Sequence, residues 1–385
     1  MGKQPIYLPI SRFLNTAAFG GMLNDTTTSY KFLWLGAVIG FVAEETAERK
    51  SNSRLPQFAE VRIPFKSIVA EMFVMAHYPL NQFRLSFGKQ DMMRRHIAVW
   101  GAGLQTEPQQ AKVAAHFRRK AIPDDIYADV VKFVPYRALT PFFGDKLKGL
   151  LDREKNGKII QLADETFGSD FPPFYRFDGN AVIVHPKWAD YVADNLQIVR
   201  AWRELRWLHY LQKHNPSVPA IANKLQAPKK TESMGRQREF WKDIMAVHPV
   251  HCIYSEADLS AAHFVLDHYV PWHFYAHNHL WNLVPTTAAV NSAKSDKLPA
   301  NNYYGKFLDM QHLAVRVLAD SPDKWKTLRE SYETGLVDAE GQGGFDILTD
   351  HANLKDRYDK VILPAIELAK SRGFAGGWEY GAAVL

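Results

Sequence analysis

The chain has 385 residues, a net charge of +6, 46% hydrophobic residues and 23% charged residues. Two or three domains with sizeable cores fit that length and apolar content, which excludes a disordered chain. A lone cysteine, Cys252, excludes an intramolecular disulfide and any multi-cysteine zinc staple. It suits a reducing compartment, so a cytoplasmic location is expected. The small charge excess fits plain solubility as well as a polyanionic partner.

The opening residues, MGKQPIYLPISRF, carry Lys3 but no long apolar run, so no secretory leader is expected. The most apolar stretch, FLWLGAVIGFVA (32–43), falls short of the roughly 20 residues that span a membrane. It is expected as a buried helix, or a helix running into a strand, with no membrane insertion. Up to residue 225 the chain reads as mainly helical with short irregular connections. Pro135 and Pro141 cut YADVVKFVPYRALTPFFGDKLKGLL into short pieces. FYRFDGNAVIVH (174–185) predicts a small hairpin turning at Asp178, Gly179 and Asn180. Val192, Leu196, Val199, Trp202, Leu205 and Leu208 recur every three or four positions, which predicts one long helix closed by Asn215-Pro216.

QAPKKTESMGRQRE (226–239) is polar, charged and carries Pro and Gly, and is the expected linker. A compact segment rich in His, Asp and Asn occupies 240–305. Residues 306–385 read as helices around a glycine-rich loop, EGQGGFD (340–346). The predicted domains are therefore 1–225, 240–305 and a helical segment 306–385, in a mainly α (α+β) fold. No phosphate loop is expected: Gly88-Lys89 lacks the earlier glycine of a P-loop, and WGAGLQ lacks the third glycine of a dinucleotide fingerprint. No Gly-x-Ser-x-Gly elbow appears either.

The chemistry concentrates in LDHYVPWHF (266–274) and the residues just after it. Asp267 and His268 stand side by side in an apolar, β-type run that Pro271 ends. Asn282 precedes a second short apolar run, LVP. Thr286 or Thr287 can cap a helix that carries Asn291 and, one turn later, Lys294. The pattern reads strand, long loop, strand, helix, with carboxylate, imidazole and carboxamide converging. Phosphodiester hydrolysis needs such a set. A histidine takes a proton from water near neutral pH. A hard divalent cation, held by a few oxygens, neutralises charge on the phosphate. Lys294 lies on the Asn291 face and is expected to hold a phosphate oxygen. One objection is geometric: neighbours on a regular strand point to opposite faces, so an irregular backbone, or a substrate across the strand end, is required.

These residues closely resemble the HNH nuclease domain, the ββα-metal finger, in the version found in CRISPR effector nucleases and many bacterial HNH proteins. The shared pattern reads Asp267-His268-Tyr269-Val270-Pro271, then Asn282, then Asn291-Ser292-Ala293-Lys294-Ser295-Asp296-Lys297-Leu298-Pro299. The resemblance implies that Asp267 and Asn291 are metal ligands for Mg2+ or Mn2+. It implies His268 as general base, Asn282 as the brace that orients it, and Lys294 as an auxiliary phosphate contact. The product would carry a 5′-phosphate and a 3′-hydroxyl, and a monomer would nick double-stranded DNA. Oligomeric state is left open. Many HNH domains hold a structural zinc on paired cysteines. With Cys252 alone no structural zinc is expected, and packing by Trp272, Trp281 and the flanking helices would hold the finger. TTTSYKFLWLGAVIG, EMFVMAHYPLNQFRLSFGKQD, VPYRALTPFF and PPFYRFDGNAVIVHPKWADYVADN resemble the N-terminal region of bacterial HNH proteins. Some of those are associated with anti-phage defence, including the HNH component of Zorya-type systems, which implies defence-system partner proteins. Alternatives are a structured-RNA nuclease and a catalytically inactive nucleic-acid-binding module.

Other features have blander readings. His263, His273, His277 and His279 would make a zinc site only in helical register, and are expected as solvent-exposed loop residues. His251 beside Cys252 is expected as packing. Arg94-Arg95, Arg118-Arg119-Lys120, Lys146, Lys148 and Lys229-Lys230 are expected as solvated faces. SYKFLW (29–34) and FRLSFGKQD (83–91) are expected mainly as core and interface of the N-terminal domain.

Overall fold

The computed structural model describes residues 8–51, 60–228, 233–337 and 344–381. Lys229-Lys230, the first seven residues and the start of the glycine-rich stretch lie outside the described residues. The fold is mainly α with three small sheets. The chain divides into two compact units, Met1–Pro216 with Ile221–Ala227, and Ser217–Ala220 with Pro228–Leu385.

In the first unit the apolar run 32–43 lies inside the helix Tyr30–Ser51. Up to Ala43 that helix is apolar on nearly all sides and mostly buried, and its charged last turns reach solvent. It packs on the helix Phe65–Asn81 and on two later helices, Pro186–Asp194 and Leu196–His214. Among the described residues no helix is long and apolar enough to cross a membrane. Pro135 and Pro141 each open a short helix, Val134–Arg137 and Thr140–Phe143, the positions where a missing N–H costs nothing. Between Tyr175–Asp178 and Ala181–Val184 the hairpin turns at Gly179, whose φ of 55° needs a glycine. A third strand, Val61–Pro64, pairs antiparallel with Ala181–Val184 and completes the sheet.

The long helix expected from 192 onward is two helices. Asn195 separates them at φ −114°, ψ 22°. Its Nδ2 donates to the Tyr191 carbonyl at 2.9 Å, so a local side-chain bond competes with helix continuation.

In the second unit, helix Gly235–Val247 begins within 226–239. A two-residue hairpin comes next, Val250–His251 against Asp258–Leu259. Val265–His268 then pairs antiparallel with Leu283–Thr286, ahead of helix Ala288–Lys294. The helices Tyr304–Asp320, Lys326–Leu336 and His351–Ser371 share one apolar core with this ββα segment. Tyr269 stacks on Phe307 with ring centroids 3.9 Å apart. The Tyr358 hydroxyl donates to the Trp281 carbonyl at 2.9 Å, and Gln311 Nε2 to the Leu283 carbonyl at 2.7 Å. Gly335 lies so close to Trp281 that a Cβ would stand 2.3 Å from the indole nitrogen. Leu298 N–H and Ala300 N–H donate to the carbonyls of Ala375 and Trp378, at 2.8 and 2.9 Å. Trp281 is buried in this core, whereas Trp272 stays half-exposed.

Candidate active site

The strand Val265–His268 stays regular to its end. Asp267 pairs with Val284 and His268 with Leu283, and the ladder continues as Tyr269 N–H donates to the Asn282 carbonyl at 2.9 Å. Successive side chains on such a strand diverge, and they do here. Asp267 turns inward: one oxygen accepts from the Tyr254 hydroxyl at 2.9 Å, the other from Lys294 Nζ at 3.1 Å. His268 turns toward the loop, with Nε2 2.9 Å from Asn278 Oδ1. Asn278 is anchored in turn, its carbonyl accepting from Gln237 Nε2 at 2.8 Å.

Asn282 is fully buried. Its Oδ1 accepts from Val270 N–H at 2.9 Å and its Nδ2 donates to the Val270 carbonyl at 2.8 Å. One side chain thus imitates a pair of strand bonds and fixes the backbone two residues after His268. Thr287 caps the next helix, accepting from Val290 N–H at 3.3 Å. On that helix Asn291 is half-buried and its carboxamide makes no hydrogen bond to any described residue. Asn291 lies one turn before Lys294, and Lys294 reaches Asp267, so this helix face fronts the strand end.

Lys294 differs from its expected role. It is fully buried, and its ammonium also donates to the His268 carbonyl at 2.6 Å. Helical spacing gave the right face but not the depth, and no part of the side chain is exposed to meet a phosphate. Three of the four histidines differ as well, while His263 is exposed as expected. His277 and His279 are half-buried with ring centroids 4.1 Å apart. His273, on the short helix Trp272–Tyr275, pairs with Asp296 at 2.8 Å. Loop backbone folded over the apolar core, rather than a loop in solvent, accounts for both. His251 turns outward to Asp258 at 2.7 Å, while Cys252 is buried with Sγ 3.1 Å from Thr286 Oγ1. Among the described residues, no three His, Cys, Asp or Glu side chains cluster to hold a metal ion.

Electrostatics separate the two neighbours. Burial pushes the His268 imidazole down to about 4, with Lys294 adding to it, against Asn278 and the His277 backbone. The ring is therefore neutral at physiological pH. Burial raises the Asp267 carboxyl above its ordinary value, while Lys294 and Tyr254 favour its ionised form. Tyr254 is pushed far up by burial and by Asp267, so it stays a hydroxyl donor. Sequence reasoning missed Tyr254 and Asn278. Tyr254 carried no signal, being one apolar aromatic among many. Asn278 had one: an amide set between two histidines in a loop.

Residues 252–300, which include both strands, the loop and the helix, match the model of the HNH endonuclease family. Among curated proteins and among solved structures, none matches the chain. The second unit thus carries an HNH-type domain.

Proposed function

We propose that this protein is a metal-dependent endonuclease that hydrolyses DNA phosphodiesters at the end of the strand Val265–His268. The observation that carries the reading is His268. It is a neutral imidazole held by Asn278 at the mouth of a ββα segment, next to a buried carboxylate. Nothing about core packing calls for that arrangement, and a general base does.

The donor set suits a hard cation. Asp267 is an anionic oxygen ligand of the right kind, although Tyr254 and Lys294 already contact its carboxylate, and a cation would have to share it with them. The Asn291 carboxamide oxygen has no hydrogen-bond donor among the described residues. Asp267 and Asn291 would hold Mg2+ or Mn2+, and the ion would supply charge neutralisation at the phosphate. The chain's own groups do the rest. The neutral His268 ring takes a proton from water on an imidazole nitrogen as the water oxygen bonds to phosphorus. The P–O3′ bond breaks, and the 3′ oxygen leaves as a hydroxyl with a solvent proton. The product keeps a 5′-phosphate. Asn282 and Asn278 hold the ring in place through backbone and side chain. Lys294 keeps Asp267 oriented.

One finger offers one base, so a monomer nicks, and a double-strand break takes two events. The net charge of +6 supports contact with the duplex backbone. The N-terminal resemblance to HNH proteins associated with anti-phage defence supports a cytoplasmic role against foreign DNA, alongside partner proteins of such a system.

Nicking of supercoiled plasmid with added Mg2+ or Mn2+ tests the reading. Wild type should relax the plasmid, EDTA should stop it, and His268→Ala should slow it by about 10²–10⁴-fold, the usual worth of a positioned base. Metal-dependent nicking that survives in His268→Ala would place the chemistry elsewhere.

A further inference from the structure

We infer that the first unit has a binding site of its own: the cleft between the start of helix Tyr30–Ser51 and the helices Asp124–Val131 and Val134–Arg137 takes a nucleotide. Its phosphate would lie against Lys31 and a group of threonine hydroxyls, and its base against Phe133.

The cleft encloses about 870 Å³, within the range of small-molecule sites. Two kinds of surface meet in it. One is polar and unused. Thr26, Thr27, Thr28 and Thr140 line the cleft, and none of their hydroxyls bonds to a described residue. Lys31 Nζ donates to the Asp25 carbonyl at 2.9 Å and forms no salt bridge among the described residues. An ammonium has three donors, so two of them are left for something else. Burial pushes the Lys31 ammonium below its ordinary value, against the nearby Asp25 carboxylate and with Arg137 adding to it, a cost that an anionic ligand relieves further.

The other surface is apolar. Met92, Val130, Val134 and Pro141 form a wall, and Phe133 stands beside it with 45% of its surface exposed. Lys132 Nζ lies 5.1 Å from the Phe133 ring centre and the Arg137 guanidinium 5.7 Å. A solvent-facing ring flanked by cations is the usual platform for an unpaired base on a phosphate backbone. Three acids, Asp25, Asp129 and Asp152, line the cleft as well. Asp152 is paired with Arg137 at 2.9 Å, Asp129 contacts the His96 imidazole at 2.8 Å, and Asp25 acts on Lys31, so the phosphate contact rests on Lys31 and the threonine hydroxyls and not on a net positive field.

A bare anion has no use for the apolar wall and the exposed ring. A purely apolar ligand would strand an ammonium and four hydroxyls. A phosphate ester of an aromatic base uses both. It has two sources, an unpaired nucleotide in a strand or a free nucleotide. The site is independent of the nuclease reading, because no group of the HNH segment takes part.

The test is calorimetric titration of the full chain in EDTA, which silences metal-dependent cleavage. The probes are dAMP, dCMP, a mixed-sequence single-stranded DNA octamer, inorganic phosphate and deoxyadenosine. Nucleotide binding is expected, weakened about tenfold or more by Phe133→Ala, the usual worth of one stacked base, and similarly by Lys31→Met. Thr27→Val, at an exposed position, is a third variant with no folding risk and should weaken binding in the same direction. Octamer binding well above that of the mononucleotides would name a strand as the source, and the reverse a free nucleotide. The inference is overturned if neither form binds, if inorganic phosphate binds as tightly as the nucleotides, or if all three variants bind as wild type does.

Discussion

Lys294 and Asp267 form a salt bridge at 3.1 Å with side-chain exposures of 0% and 4%. The pair sits under the strand end that carries His268, and the same ammonium holds the His268 carbonyl. Lys294 is thus a structural cation inside the site. It fixes the carboxylate and the backbone of its neighbour from one position.

Removing one member of such a pair leaves a buried charge alone. Lys294→Ala should destabilise the protein by about 3–5 kcal/mol. Adding Asp267→Asn should recover part of that loss, because the stranded charge goes with it. Denaturant unfolding of the two variants measures both. A single mutant as stable as wild type would mean that the ion pair does not form in solution.

Asn291 should behave in the opposite way. Its carboxamide bonds to no described residue, so Asn291→Ala should change stability by no more than about 0.5 kcal/mol. Wild type should gain thermal stability on adding Mn2+, and Asn291→Ala should lose that gain. If the variant keeps the Mn2+ response, Asn291 is not a ligand.

On the proposed reading the two other asparagines would act through His268, by different routes. Asn282→Ala removes two buried hydrogen bonds to Val270 and leaves an orphaned N–H and C=O, which costs about 1–3 kcal/mol each. It should lower both melting temperature and nicking. Asn278→Ala removes the side-chain bond to the imidazole. It should cut nicking about 10–100-fold, as a misplaced catalytic group does, while plasmid binding in EDTA stays at the wild-type level. Equal losses of binding and nicking would show that Asn278 contacts DNA instead of positioning the base.

The first unit should respond to acid through His77. This histidine is fully buried, its Nε2 is 2.9 Å from the Leu104 carbonyl, and its Nδ1 has no partner among the described residues. Burial lowers its affinity for a proton, against the Leu104 bond. An unfolded histidine titrates near about 6.5. Below that pH the unfolded chain binds a proton that the folded chain refuses, so stability present at neutral pH is lost as the pH falls. The lower limit of this loss is the depressed folded value. His77→Gln keeps a donor for Leu104 and cannot titrate. Its unfolding free energy should fall less between pH 7 and 5 than that of wild type. Parallel slopes would remove His77 from the account.

The ββα segment was legible because its informative residues are near neighbours in sequence and keep the order of the elements. Thr287 as a cap, Asn282 before the second strand and the hairpin at Gly179 all obey local rules. What stayed hidden depends on long-range packing. The strand Val61–Pro64 is four residues long and pairs with a partner more than a hundred positions away. The break at Asn195 turns on one side-chain bond inside an unbroken apolar period. Lys294 shows the limit most clearly: spacing assigned its helical face, but only the fold reveals that this face is closed over by Asp267 and the His268 backbone.

The contacts that leave the finger set a minimum size for anything meant to work by itself. Leu298 and Ala300 take their backbone acceptors from Ala375 and Trp378, and Gly335 keeps its place only by lacking a side chain beside Trp281. A fragment trimmed to the motif would expose the apolar undersides of Tyr269 and Trp281 and should be recovered as aggregate. In a random-mutation screen for lost nicking, hits should therefore extend well past the motif, with Gly335 prominent through its packing on Trp281.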